Sequence, residues 1–158
     1  MKGITIAEEC HVINALPPVS ANAGKTSDYW SMENYSHASI IVTLGAAVAV
    51  EQVLVYQSET DAGVGEDAIT FKYYSETTAS GDVLDRVAGL ATAAGFATAS
   101  AGTANTMHVI EVDASELAED HPFMCVKLTV AAADQLTAVI VILSGSRYAE
   151  ESSVTALA

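Results

Sequence analysis

Basic residues are scarce in this sequence. Six lysines and arginines stand against twenty aspartates and glutamates, which gives a formal net charge of −14. Such a charge repels the phosphates of nucleic acids and of anionic lipid surfaces, so neither is an expected partner. Long apolar runs are also lacking, because the stretches 40–50 and 131–143 are too short or too interrupted to cross a bilayer. We therefore expect no membrane span.

Cysteine and targeting signals are equally sparse. Cys10 and Cys125 lie far apart and have no C-x-x-C or other paired spacing, so buried apolar side chains are favoured over a disulfide or a metal site. Residues 1–9 lack the long apolar stretch of a secretory signal. These features predict a protein that stays in the reducing interior of the cell that makes it.

The patterns that mark catalytic and cofactor sites are missing from the sequence. No G-x-S-x-G nucleophile elbow occurs, and the four histidines show no H-E-x-x-H or H-x-H spacing for zinc. The Gly63-Val64-Gly65 stretch lacks the third glycine of a dinucleotide-binding loop. We expect no catalytic residue, no cofactor, no metal site and no enzymatic activity.

Two acidic groups leave alternatives open. The loop with Asp61, Glu66 and Asp67 offers the oxygen ligands that calcium prefers, although a solvated turn between two strands explains it more simply. A second group suggests paired catalytic carboxylates, but helix capping and solubility account for it. This second group comprises Asp113, Glu116, Glu119 and Asp120.

Apolar residues, by contrast, make up 51% of the 158 residues, and charged residues only 16%. This composition predicts one folded domain. The apolar residues fall into short segments rich in β-branched side chains, as in strands. Residues 137–143 are almost continuously apolar, which predicts a central strand covered on both faces. The other predicted strands are 39–44 and 53–56 as a hairpin or meander, 69–74 as a half-buried strand, 108–112 before one helical turn, and an alternating strand from 123.

The stretch 80–95 is ambiguous. Val83, Leu84, Val87 and Leu90 fall at helical spacing between a capping Ser80 and a terminal glycine at 95. We predict a helix here. The Ala/Ser/Thr/Gly-rich run that follows, at 96–106, predicts a loop or an irregular strand.

The order of these segments predicts a mainly β fold, an antiparallel β-sandwich of jelly-roll-like form with one or two short helices. We divide the chain into an N-terminal arm and first strand at 1–34, a sandwich core at 35–148 and a flexible C-terminal tail at 149–158. The arm is expected to pack on the core, with Pro17 and Pro18 interrupting its strand.

An aromatic cluster precedes the first firm strand and is the candidate interaction site. Tyr29, Trp30 and Tyr35 are rigid amphipathic side chains in a segment that reads as a loop, and such side chains suit a protein interface. The alternative, that Trp30 closes one end of the sandwich core, is equally compatible with the sequence.

Four segments resemble a family of tailed-bacteriophage head decoration or minor capsid proteins, which are small β-sandwiches. They are MKGITIAEECHVINALPPVS, SDYWSMENYSHASIIVTLGA, VIEVDASEL and AVIVILSGSRYAE. The resemblance implies a virion structural protein, made in the host cytoplasm, that binds the outside of the assembled shell. It also implies a homotrimer, the major capsid protein as partner, and neither cofactor nor reaction.

A second hypothesis is a carbohydrate- or receptor-binding β-sandwich module of a virion or tail. It would use Tyr29, Trp30 or Tyr35 as a stacking platform and the loop at 61–67 for calcium.

Overall fold

A computed structural model describes residues 3–45, 52–76, 82–87, 90–98, 105–129, 135–147 and 156–157. The described residues form one short helix, α1 (Ile6–Glu9), and a 3₁₀ turn at Ala114–Glu116. Twelve strands account for most of the rest: β1 (His11–Ser20), β2 (Lys25–Thr26), β3 (Trp30–Ser31), β4 (Tyr35–Leu44), β5 (Gln52–Ser58), β6 (Asp67–Ala68), β7 (Lys72–Glu76), β8 (Leu84–Arg86), β9 (Phe96–Ala97), β10 (Thr106–Asp113), β11 (Phe123–Thr129) and β12 (Leu136–Ser146).

Within the described residues the strands make two antiparallel sheets. The first has the order β1-β12-β4-β10-β7-β8, and the second has the order β2-β11-β5-β6, with β3 also beside β11 and β9 beside β5. Side chains from both sheets meet in one apolar core, including Val42 and Val139 from the first and Val55 and Val126 from the second, all fully buried. The predicted mainly β sandwich with short helices is confirmed.

Alternation along the strands explains which side chains enter this core. In β11, Met124, Val126 and Leu128 are buried, while Lys127 and Thr129 on the other face are not. This is the pattern predicted for a strand from residue 123. The strand predicted at 69–74 is confirmed in part: β7 begins at Lys72 and is half-buried, and Ile69 and Phe71 before it are buried but outside the strand.

The predicted hairpin between 39–44 and 53–56 is wrong, because these strands lie in different sheets. Strand β4 pairs with β12 and β10, whereas β5 pairs with β11. Along the chain, β4 of the first sheet is followed by β5 of the second, and β11 of the second sheet is followed by β12 of the first. The pair β5/β11 is therefore nested in sequence between the partners β4 and β12. This nested wrapping of one antiparallel pair onto another is the jelly-roll-like feature of the fold.

The sequence predicts that Pro17 and Pro18 interrupt the first strand. In the structure β1 continues through both prolines. Pro17 and Pro18 are tolerated because β1 is an edge strand and neither residue is paired with β12. The pairing with β12 shifts register between Ile13 and Leu16 and again between Leu16 and Val19. The first strand predicted within 1–34 is thus a member of the first sheet, and the short strands β2 and β3 of the same segment belong to the second.

The helix predicted at 80–95 is wrong for the residues that the structure describes there. Residues 80–81 and 88–89 lie outside them, but Leu84–Arg86 forms the edge strand β8 beside β7. A helix needs an apolar face to bury, yet the side chains of Val83 and Leu90 are 57% and 55% exposed. Gly95 ends a tight turn with φ +73°, and a Cβ there would collide with the Val53 carbonyl oxygen.

Strand β12 is central, as predicted, but only one of its faces is covered by described residues. Thr137, Val139, Val141 and Leu143 are buried, whereas Ile140 is 37% exposed on the opposite face. A continuous apolar run predicted burial on both faces, and this part of the prediction is wrong. The apolar side chains on the exposed face of β12 therefore need an explanation other than core packing.

Most of the predicted tail at 149–158 lies outside the described residues, as do 99–104 of the low-complexity run. Two tail residues are described, and they are packed. The Ser31 N–H donates to the Ala156 carbonyl at 2.9 Å, and Leu157 pairs with Trp30. Ala156 is 4% exposed. These two residues add to the edge of β3 and are not part of a free tail.

Candidate docking face

The outward side of the first sheet carries an apolar surface that we call the outer face. Antiparallel pairing aligns its side chains in rows, because directly opposed residues share a face. One row runs Ile140, Ile41, Val109, Tyr74 across four neighbouring strands. The outer face consists of Val12, Ile41, Tyr74, Met107, Val109, Leu136, Ala138, Ile140 and Ile142.

These side chains are accessible to solvent. Leu136 is 60% exposed and Val12 is 50% exposed, and the other members are half-buried or more exposed. No described element packs on them. Adjacent strands lie about 4.8 Å apart and each residue advances a strand by about 3.4 Å, so the outer face measures roughly 20 by 20 Å. Contiguous apolar patches of about this size on single chains often mark interaction sites.

A histidine held between two carboxylates borders the outer face. His37 Nδ1 lies 2.7 Å from Asp113 Oδ1, and His37 Nε2 lies 2.7 Å from Glu111 Oε2. Ser39 Oγ also donates to Glu111 Oε2, at 2.7 Å. Burial lowers the pKa of His37, but the hydrogen bonds to Asp113 and Glu111 outweigh burial, and the pKa is raised. The His37 ring therefore links the two carboxylates by hydrogen bonds at the border of the outer face.

Charge on the outward rows is nearly balanced, unlike that of the chain as a whole. The charged side chains that the described rows present are the acidic Glu76, Glu111 and Asp113 and the basic Lys72 and Arg86, and His37 lies between two of these carboxylates. The chain carries a net charge of −14, so its excess of acidic residues lies elsewhere. A surface that is apolar and nearly neutral suits contact with another protein surface of the same kind.

The three aromatic residues predicted as an interface do not form one. Trp30 is fully buried and Tyr35 is 5% exposed, and both belong to the core. The core alternative therefore holds for Trp30. Tyr29 remains half-buried, and its hydroxyl donates a hydrogen bond to Glu66. None of the three offers a free stacking surface: Trp30 in β3 and Tyr35 at the start of β4 face the core, and Tyr29 just before β3 is held in a polar contact.

Glu66, one of the candidate calcium ligands, is engaged by protein groups. Its carboxylate accepts hydrogen bonds from Tyr29 and from Lys127. Burial raises the pKa of Glu66, but the hydrogen bonds from Lys127 and Tyr29 prevail and lower it. Lys127 Nζ also lies 4.5 Å from the centre of the Tyr56 ring. In the described part of the chain no group of three or more His, Cys, Asp or Glu side chains is arranged to hold a metal ion.

Cys125 lies beside this cluster on the second sheet and is fully buried. Burial raises the pKa of the Cys125 thiol to about 11, so the thiol stays protonated near neutral pH. A protonated thiol is a poor nucleophile. The geometry therefore assigns Cys125 to packing.

A serine and a histidine meet inside the sandwich. Ser75 Oγ lies 2.8 Å from His108 Nδ1, and the His108 side chain is buried against the Phe96 ring, 5.1 Å between ring centres. Burial lowers the pKa of His108 to about 4. Among the described residues no hydrogen-bond partner reaches His108 Nε2. A nucleophilic triad needs a carboxylate on that second nitrogen, so this pair is a structural element of the core.

The second acidic group is distributed over local contacts. Glu116 accepts a hydrogen bond from the Asp113 backbone N–H at 2.9 Å, which is the capping role predicted for it. Asp113 bonds to His37, as described above, and Glu119 and Asp120 are exposed. These carboxylates do not form a pair facing across a cleft.

The outer face is thus the feature that sequence reasoning missed. Its signal was present, because the alternate residues Leu136, Ala138, Ile140 and Ile142 are all apolar. A run that is apolar on both faces predicts a strand covered on both sides, but a docking surface produces the same run. Neither protein-family models nor curated proteins match this sequence. None of the described helices has the length and apolar character to span a bilayer.

Proposed function

We propose that this chain is a virion structural protein, a head decoration protein of a tailed bacteriophage that binds the outside of the assembled shell through the outer face. The observation that carries the proposal is the apolar, nearly neutral outer face on a sandwich that buries Trp30 and Tyr35 in its core. The resemblance of four sequence segments to such proteins supports the same assignment. The partner is the major capsid protein.

The dimensions of the outer face favour a shell over a single soluble partner. Stable two-chain interfaces bury about 800 Å² on each side, whereas the outer face spans roughly 400 Å² by the strand geometry. One copy is therefore expected to bind weakly. A trimer that presents three such faces to a repeating shell multiplies the contacts, so that weak individual affinities give lasting attachment.

Negative charge introduced into the outer face by substitution is expected to weaken binding to the shell strongly. Replacing Ile41 and Ile140, which are neighbours in one row, by glutamate places two carboxylates where apolar contact is made. Each lost apolar side chain contributes about 1.5–3 kcal/mol when fully buried, so we expect at least a ~10-fold rise in the dissociation constant. The measurement is co-sedimentation of the protein with shells assembled from the major capsid protein of the same phage.

The matched control adds the same two charges to the second sheet, with Thr26→Glu and Thr129→Glu. Both positions are exposed, and this variant should bind as the wild type does. The proposal fails if the wild-type protein stays in the supernatant. The assignment of the outer face fails if the Ile41/Ile140 variant binds as well as the control.

The free protein is expected to be a homotrimer, so three chains of 16.4 kDa should elute together. Light scattering after size-exclusion chromatography is expected to give a mass of about 49 kDa, since a trimer supplies the multivalency that a small contact needs. The Ile41→Glu, Ile140→Glu variant should keep this mass, because the outer face contacts the shell and not other copies. A monomeric wild type would contradict the trimer, and a variant that dissociates would place the outer face between copies.

A further inference from the structure

His37 and two carboxylates form a charged cluster at the border of the outer face. The His37 Nδ1 lies 2.7 Å from Asp113 Oδ1, and Nε2 lies 2.7 Å from Glu111 Oε2. An ionised carboxylate only accepts hydrogen bonds, so both contacts are hydrogen bonds at the same time only while each ring nitrogen carries a hydrogen. In that state the ring is an imidazolium, and its positive charge beside two negative ones leaves the cluster with a net charge of −1.

Loss of one proton from the ring disrupts this cluster. Neutral imidazole has one N–H and one lone pair, so one of the two carboxylates then faces a lone pair and loses its hydrogen bond. The net charge of the cluster changes from −1 to −2. Burial lowers the pKa of His37, but the hydrogen bonds to Asp113 and Glu111 prevail and raise it above its usual 6.5, so the proton is lost above pH 6.5.

The described elements packed around His37 bring other charged groups close to it. They are Glu111 and Asp113 on β10, Lys72 on β7 and Glu116 in the 3₁₀ turn, while the neutral Ser144 lies opposite on β12. Lys72 is aligned with Glu111, but its Nζ lies 4.0 Å from Glu116 Oε1, so its charge is shared with a second carboxylate. Histidine is the residue type in this group that changes its charge near neutral pH. The protonation of His37 therefore decides the charge of this border.

Glu111 brings the cluster onto the outer face itself. Its side chain lies on the same side of β10 as that of Val109, an outer-face residue, about 7 Å away along the strand. Across the sheet it is aligned with Ser39 and Ile142, and Ile142 also belongs to the outer face. A partner that covers Val109 and Ile142 therefore removes water from Glu111 as well. Removing water from a carboxylate that has lost its charged partner is costly.

We propose that His37 makes docking through the outer face depend on pH, so that binding is strong while the ring bridges both carboxylates and weaker once the ring has lost a proton. The inference rests on the proposed function, because it assigns a regulation to the surface that is proposed to contact the shell. The protein then attaches more firmly in a mildly acidic medium than in an alkaline one.

The first test uses the free protein and a phenyl-agarose column as an apolar probe. From pH 6 to pH 9 the retention of the wild type is expected to fall, because the outer face gains a negative charge. His37→Gln cannot take up a proton, so its retention should be below that of the wild type at pH 6 and should fall less between the two pH values. Circular dichroism checks that the variant keeps the β fold.

A second histidine on the same sheet supplies the matched control. His11 lies on β1, and its ring packs against Tyr35 with 5.8 Å between ring centres. His11→Gln removes a titrating ring outside the cluster and should keep the pH dependence of the wild type. If His11→Gln loses this dependence as His37→Gln does, histidine titration in general explains it and the inference is wrong.

The second test measures co-sedimentation with shells of the major capsid protein. The dissociation constant of the wild type is expected to rise about 3- to 10-fold from pH 6 to pH 9, an effect limited by the partial exposure of the cluster. His37→Gln should bind at both pH values as the wild type does at pH 9. Glu111→Gln removes the carboxylate that the partner covers, so its dissociation constant should change less than ~2-fold over the same range.

The two tests separate this inference from the proposed function. The same pH dependence in the wild type and in His37→Gln, on the column or with shells, would overturn the inference even where the shell is bound. A wild type that stays in the supernatant at both pH values contradicts the proposed function, and the column still decides whether His37 controls the outer face.

Discussion

Replacing Trp30 by alanine is expected to lower the free energy of unfolding by about 3–5 kcal/mol, as measured by urea denaturation at pH 7. Trp30 is fully buried, pairs with Met124 in the second sheet and with Leu157 near the chain end, and belongs to the common core. Its removal leaves a cavity that this small strand, two residues long, cannot close by local collapse. The loss is large compared with the stability of most single domains.

Tyr74→Ala provides the matched control for this substitution. Tyr74 is also a large aromatic residue on a strand, but it projects from the outer face and is only half-buried. Its replacement should lower the free energy of unfolding by about 1 kcal/mol or less. A Trp30→Ala protein with the wild-type unfolding midpoint would restore the original hypothesis that Trp30 serves an interface.

Stability is expected to fall by about 3 kcal/mol between pH 6.5 and pH 4 through His108 alone. Burial lowers the pKa of His108 from 6.5 to about 4 in the folded protein, so the unfolded chain takes up a proton first as the pH falls. Stability therefore rises with pH across this interval and is complete above about pH 6.5. The difference of about 2.5 pH units between the two pKa values sets the size of the effect.

Urea unfolding at several pH values measures this contribution. His108→Leu with Ser75→Ala removes the titrating group and its hydrogen-bond partner together, and should flatten the acid side of the profile by about 3 kcal/mol. His37→Asn is the control, because the raised pKa of His37 stabilises the fold at low pH and loses its effect only above pH 6.5. The control should keep the acid slope. An unchanged slope in the His108/Ser75 variant would show that His108 is charged in the folded protein.

Strand positions can be predicted where the alternation of apolar and polar residues in the sequence matches the alternation of buried and exposed side chains in the structure. The period of two in β11, with Met124, Val126 and Leu128 facing inward, identifies both the strand and its buried side. The turn after β10 was also predictable, because the capping residues Asp113 and Glu116 act within four residues of each other. Both signals are local in sequence.

Strand pairing was not predictable from local signals. Nearness in sequence favoured a hairpin between β4 and β5, but β4 gains longer and more apolar neighbours in β12 and β10. The stretch around Leu84 has helical spacing, yet no described apolar surface is placed to cover a helix there, and pairing with β7 satisfies its backbone instead. In both cases long-range packing overrides the local preference.

The candidate site escaped prediction for a related reason. The sequence shows that Trp30 and Tyr35 are large and amphipathic, but not whether the chain itself covers them. Burial decides between core and interface, and it depends on strands far away in sequence, such as β11 for Trp30. The outer face shows the converse. Its aliphatic residues look like ordinary core residues in the sequence, and only their exposure in the structure identifies them as a surface.

The two margins of the first sheet differ in a way that bears on self-assembly. A free margin is a template on which further chains can add strands, the route to fibrils. On β1, Pro17 and Pro18 have no N–H to donate, and on β8 the margin is three exposed residues long and includes Asp85 and Arg86. Crowded copies can therefore accumulate at high local density with little tendency to polymerise into amyloid through this sheet.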